Sequence, residues 1–116
     1  MKKTIAEKWV KALRSGKYAK SMGQLCKVAK NGNKSYCCLG VLTKLYNKEH
    51  IDKEFLDRGF LPYSVSKWAG MGSEMGIIAG SGHYSGQTLA DLNDCDQSKR
   101  SFKRIADIIE KNVENL

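Results

Sequence analysis

The sequence predicts an α+β fold in a single domain covering residues 1–116, with a small antiparallel sheet (a hairpin around Asn31-Gly32) packed with four or five helices. Apolar residues recur at helical spacing in three segments: Ile5, Ala6, Trp9, Ala12 and Leu13; Cys38, Val41, Leu42 and Leu45; and Phe102, Ile105, Ala106 and Ile109. Asn31-Gly32, between two short strand-like runs, is the strongest hairpin signal in the chain. A chain of 116 residues buries enough surface for one modest core.

Residues 3–14 read as an amphipathic helix, with Thr4 as its cap, Glu7 as capping-box partner and Gly16 as a left-handed C-cap. Residues 17–24 read as a polar, basic connector, Gln24 to Ala29 as a strand, and Lys34 to Cys37 as the return strand. A core-facing helix then opens at Cys38 and runs to about Lys48. Gly40 interrupts its apolar stripe at a cost of about 1 kcal/mol against Ala, which makes sense if another backbone packs close. Phe55 to Leu61 reads as a second small hairpin around Arg58-Gly59. Pro62 leads a short helix, Tyr63 to Ala69, that carries Trp68 inward. Six glycines between 70 and 86 exclude a helix, and Ile77-Ile78-Ala79 reads as a short strand among them. Thr88 with Asp91 is a capping-box pattern that opens a short helix ended by Asn93-Asp94. Ser98 or Ser101 caps the last helix, on which Lys103, Asp107 and Lys111 form a solvent-side ladder.

The charge is uneven. Residues 1–34 hold ten Lys/Arg and one Glu, whereas residues 35–116 hold ten Lys/Arg and eleven Asp/Glu. The whole net charge of +8 therefore sits on the first third, which suits an anionic partner. No apolar run approaches the roughly 18 residues of a membrane span, and no apolar signal core follows Met1-Lys2-Lys3-Thr4, so a cytosolic location is expected. Cys26, Cys37, Cys38 and Cys95 form no C-x-x-C and have no His at zinc-finger spacing, so four reduced, mostly buried thiols are expected.

Arg14-Ser15-Gly16-Lys17-Tyr18 places a guanidinium, a hydroxyl, backbone N–H groups, an ammonium and an aromatic ring within five residues. Such a set can fork onto phosphate and stack on a base. It is not a P-loop, since G-x-x-x-x-G-K-[ST] occurs nowhere. Gly80-Ser81-Gly82-His83-Tyr84-Ser85-Gly86 reads as a loop that could cover a ligand. His83-Tyr84-Ser85 matches H-x-[ST], one half of a phosphoesterase signature that ordinarily needs two copies. Asp91, Asp94 and Asp96 cluster with Asn93 and could meet Mg²⁺ or a ribose hydroxyl pair, although helix termination is the simpler role for Asn93 and Asp94. No Ser-His-Asp triad or metal-ligand set assembles.

Trp9-Val10-Lys11-Ala12-Leu13-Arg14-Ser15-Gly16-Lys17-Tyr18, Tyr36-Cys37-Cys38-Leu39-Gly40-Val41-Leu42, Leu61-Pro62 with Trp68-Ala69-Gly70, Leu89-Ala90-Asp91-Leu92-Asn93-Asp94, and Ser101-Phe102-Lys103-Arg104-Ile105-Ala106-Asp107-Ile108-Ile109-Glu110 follow one another in a specific order. The chain thereby resembles a family of small proteins found widely in phages and prophages. Where that family has an Asn-Asp-Ser-Gly-Lys turn, this chain departs to Asn93-Asp94-Cys95-Asp96-Gln97-Ser98-Lys99-Arg100. By analogy with small accessory phage proteins, the resemblance implies an inhibitor of host defence in the bacterial cytoplasm. Such a protein sequesters a nucleotide signal: a cyclic ADP-ribose isomer, an ADP-ribose conjugate or a cyclic dinucleotide.

On this reading the protein is a non-enzymatic binder and a homodimer or higher oligomer, with no cofactor, no metal and no membrane partner. Arg14 and Lys17 would hold phosphates, flanked by Ser15 and Gly16. Tyr18 or Tyr84 would stack on the base, Ser81 and His83 would line the loop side, and Asp94, beside Asn93, would accept from a ribose hydroxyl. The alternatives are a nucleic-acid-binding regulator, favoured by the basic first third, and a phosphodiesterase acting through His83.

Overall fold

The computed structural model describes residues 1–48, 58–95 and 101–116. Among them are a two-stranded antiparallel sheet and five α-helices, the α+β fold the sequence predicts. In chain order the elements are α1 (Lys3–Arg14), β1 (Cys26–Val28), β2 (Lys34–Tyr36), α2 (Cys38–Tyr46), α3 (Tyr63–Ala69), α4 (Leu89–Asp94) and α5 (Phe102–Lys111), closed by a 3-10 turn at Val113–Asn115.

α1 and α5 form the most extensive helix pair. Ile5, Ala6, Trp9, Val10 and Leu13 of α1 are buried, as are Phe102, Ile105, Ala106, Ile108 and Ile109 of α5. α2 packs against α1, with residues 38–43 all buried. Full burial of one such large apolar side chain stabilises the fold by about 1.5–3 kcal/mol. Trp9 also fixes α1 on α2, because its indole Nε1 donates to the Cys38 carbonyl at 2.9 Å.

The hairpin pairs Cys26 with Tyr36, Lys27 with Ser35 and Val28 with Lys34. Both strands are shorter than expected. Leu25 leaves the ladder because its N–H donates to the Arg58 carbonyl at 2.6 Å. Cys37 leaves it because it is the N-cap of α2, its sulfur accepting from Gly40 N–H at 3.4 Å. The basic connector is not a free loop: Tyr36 N–H donates to the Ala19 carbonyl and Ser21 N–H to the Tyr36 carbonyl, each at 2.8 Å.

Several boundaries depart from the sequence reading. α1 starts from Lys2 rather than Thr4, since Lys2 N–H donates to the Ala69 carbonyl at 2.8 Å and the Lys2 carbonyl accepts from Ala6 at 2.9 Å. α2 stops at Tyr46, where Asn47 takes φ −109° and ψ 78°. In α3, Val65 and Ala69 are buried in the core, and Trp68, half-buried, packs against that core and edge-on against the Tyr46 ring. Ile77-Ile78-Ala79 reduces to one bridge between Ile77 and Thr88. The caps at Thr88, which accepts from Asp91 N–H, and at Ser101, which accepts from Arg104 N–H, stand as expected. Most of the second hairpin, Ser98 and Asp96 lie outside the described residues.

No disulfide joins the four cysteines, and Cys26, Cys37 and Cys38 are buried. Burial pushes the Cys37 thiol up from 9.0 to about 11, and pushes Cys38 and Cys26 up as well. These thiols are neutral when protonated. Above about pH 9 the unfolded chain ionises them while the folded one does not, so the folded state binds more protons and stability falls as pH rises. For Cys37 this contribution is intact below 9.0 and declines toward about 11, by about 1.4 kcal/mol per pH unit. Urea midpoints at about pH 8 and about pH 10 should show the decline, and Cys37→Ser, which replaces the capping sulfur with a capping oxygen, should make it shallower. An unchanged slope in that variant would remove Cys37 as a source.

Candidate functional site

α5 turns its apolar stripe inward, which leaves Arg104, Asp107 and Lys111 along an adjacent face at the i, i+3, i+7 spacing of one helix side. The glycine-rich loop forms the opposite wall. It is closed on itself: Gly86 N–H donates to Ile78 at 2.8 Å, Gln87 N–H to Tyr84 at 3.0 Å, and the Ser85 hydroxyl to the Gly80 carbonyl. Ala79 N–H, donating to Asn115 at 2.9 Å, ties it to the closing turn. His83 and Tyr84 meet edge to face, with ring centroids 4.7 Å apart.

Between wall and helix lies a cleft of about 580 Å³, lined by His83, Tyr84, Arg104, Asp107, Lys111 and Asn112. That volume is within the usual range for a small-molecule site. Arg14 acts on it from behind. Its Nη2 donates to Asp107 at 2.7 Å and to Glu110 at 2.6 Å, and bonds to Glu110 first and Asp107 second raise its pKa. All three side chains are well exposed, so the ion cluster adds little to stability. Its effect is electrostatic: Arg14 compensates Asp107, the one carboxylate among the described residues lining the cleft.

The structure disperses the other predicted residues. The Ser15 hydroxyl donates to Ala12 and accepts from Lys17 N–H, closing the C-cap of α1, and Gly16 follows it at φ 76°. Lys17 and Ser81 are exposed. Tyr18 packs edge-on against Tyr36 at 5.4 Å, away from His83 and Tyr84. Asn93 is only 1 % exposed. Its Oδ1 accepts from Cys38 N–H at 2.9 Å, and its Nδ2 donates to the Ser21 carbonyl at 3.0 Å and to Asp94 at 2.9 Å. Asp94 in turn accepts from Gly23 N–H at 3.0 Å. Asn93 and Asp94 therefore clamp the basic connector onto α2 through contacts more than 50 residues apart in sequence, well beyond the local bonds expected of them.

Arg104, Asp107, Lys111 and Asn112 are the polar cleft residues that the sequence reading did not place in a site. The signal for Arg104 and Lys111 is a face shared with Asp107, which reads equally well as a solvated ladder. A wider groove of about 610 Å³ runs between α1 and α5; Arg14 and Ser15 line it together with Glu110, and Ala6 and Val10 are buried along it.

Among the described residues, no group of three or more His, Cys, Asp or Glu could hold a metal ion, and no helix is long and apolar enough to cross a membrane. Fold and surface define a small α+β protein built on a helix pair, with clefts that mix cations and aromatic rings. The chain belongs to the family described as a domain of unknown function, DUF8296, which matches residues 1–113. No curated protein and no solved structure matches it.

Proposed function

We propose that this protein binds a nucleotide-derived anion without cleaving it, and that it thereby sequesters a signal molecule of the host's anti-phage defence. The observation that carries the reading is the cleft in which the His83–Tyr84 ring pair faces Arg104 and Lys111. Arg104 supplies a planar fork and Lys111 a point charge for phosphate oxygens. Tyr84 offers a ring for a base, and Asp107 an acceptor for a ribose hydroxyl. A hydrolase would align a base on a nucleophile. Here His83 packs on Tyr84 and Asp107 bonds to Arg14, an arrangement that favours holding over cleaving. Oligomerisation belongs to the same reading, with the exposed Phe60, Tyr63, Met75 and Ile77 as the apolar side chains a second copy would cover.

The test incubates the protein with cyclic dinucleotides and ADP-ribose-derived compounds, separates free ligand, denatures the protein and identifies what it releases. One compound should leave solution and return intact. Arg104→Gln with Lys111→Gln should weaken its retention about 10- to 100-fold, with little change in melting temperature. Arg14→Ala should weaken retention without touching the ligand, because Asp107 then repels phosphate uncompensated. A compound returned as product would make this an enzyme acting through His83. If all compounds stay free, the reading fails.

A further inference from the structure

We propose a second site, for single-stranded nucleic acid, in the cleft of about 320 Å³ lined by Lys8, Tyr18, Lys44, Leu45, Lys48 and Trp68. It draws on α1, the basic connector, the end of α2 and α3, and shares no lining residue with the His83–Arg104 cleft. Its described lining holds three lysines, of which Lys8 and Lys48 are exposed. Tyr18 and Trp68 are both half-buried, and each ring is held by an edge-on neighbour, Tyr36 and Tyr46, at 5.4 Å. A ring already fixed in place loses little freedom when a base stacks on it. Lysines beside fixed aromatic rings are the combination that tracks a sugar-phosphate backbone while stacking its bases.

Further cations lie on the hairpin that follows the connector, where Lys34 is exposed. Lys27 and Lys30 on the hairpin are exposed. Lysines set around two fixed rings suit a polyanion that alternates phosphates and bases. A duplex hides its base faces, whereas a single strand can turn one into a concave aromatic site.

The experiment titrates labelled, unstructured DNA and RNA oligomers of about twelve nucleotides, and a duplex control, by anisotropy and tryptophan emission. Trp9 is fully buried, so quenching reports Trp68. The single strands should quench emission and bind more tightly than the duplex. Binding confined to one sugar sustains the proposal and assigns the sugar. Trp68→Ala should weaken binding about tenfold or more, and Trp68→Phe should abolish the quenching while retaining the fold by thermal melting. Lys8→Gln with Lys48→Gln, both exposed, should flatten the slope of log affinity against log salt by about 1.4. The Arg104→Gln, Lys111→Gln variant should retain full oligonucleotide affinity. Absence of binding at low salt, a preference for the duplex, or an unchanged salt slope in the lysine variant would each overturn the proposal.

Discussion

Gly40→Ala is expected to lower the melting temperature by about 10 °C or more, although Ala is the better helix former. A Cβ at position 40 would lie 1.7 Å from the Leu25 carbonyl oxygen and 2.6 Å from its carbon. Neither atom belongs to a side chain that could rotate away. Leu25 is itself fully buried and held through its N–H by Arg58, so the strand approach and α2 would have to separate. Overpacking costs about 1–3 kcal/mol when side chains can adjust, and a backbone clash sits at or above the top of that range. The gain in helix propensity returns only about 1 kcal/mol. Total stabilities are about 5–15 kcal/mol, so the loss is a large fraction of the whole. A circular dichroism melt decides it. A midpoint within about 2 °C of the parent would mean that α2 and residue 25 do not meet this closely.

That contact shows which features can be read from sequence and which cannot. The stripes of α1, α2 and α5 are legible because burial of one helix side leaves a 3.6-residue period. Gly40 stands out because it breaks such a stripe at a known local cost, although nothing nearby names Leu25 as the reason. The caps at Thr88 and Ser101 are legible because a capping hydroxyl and the N–H that donates to it lie within one turn. The start of α1 is not, since Ala69 sets it from far along the chain. The candidate site divides the same way. His83 and Tyr84 are visible as the aromatic members of a glycine-rich loop, and they do line a cleft. The partners of Arg14 lie 93 and 96 residues away. A guanidinium read locally as a phosphate holder therefore compensates a carboxylate on another helix. Arg104 and Lys111 look solvated until the loop is placed against them.

Asn93→Ala is the second large effect, and it separates a structural amide from a ligand contact. Asn93 is a natural ligand candidate beside Asp94, but its amide is already committed inside the protein. Both Nδ2 hydrogens have acceptors, Ser21 and Asp94, and Oδ1 serves Cys38 N–H, one of the donors that a helix N-terminus leaves without an intrahelical partner. Cys38 is 0 % exposed, so water cannot take over. Truncation leaves the buried Cys38 N–H unsatisfied, at about 1–3 kcal/mol, removes the bonds to Ser21 and Asp94, and opens a void where the amide was. The expected loss is about 3–5 kcal/mol, among the larger values for single substitutions. Asn93→Asp refines the assignment. The new carboxylate still accepts from Cys38, but when ionised it repels Asp94 and meets the Ser21 carbonyl lone pair to lone pair. Burial and Asp94 both favour its protonated form, so its pKa rises on folding and stability is lost as pH climbs through that raised value. The Asn93→Asp variant should therefore lie closer to the parent at about pH 4 than at about pH 7. Chemical denaturation at the two pH values measures this directly. If Asn93→Ala melts like the parent and loses only nucleotide retention, the amide belongs to a binding site and the clamp on α2 is incidental. If it melts far below the parent and Arg104→Gln with Lys111→Gln does not, the clamp and the cleft are separate, with Asn93 holding the fold and the cations of α5 facing the ligand.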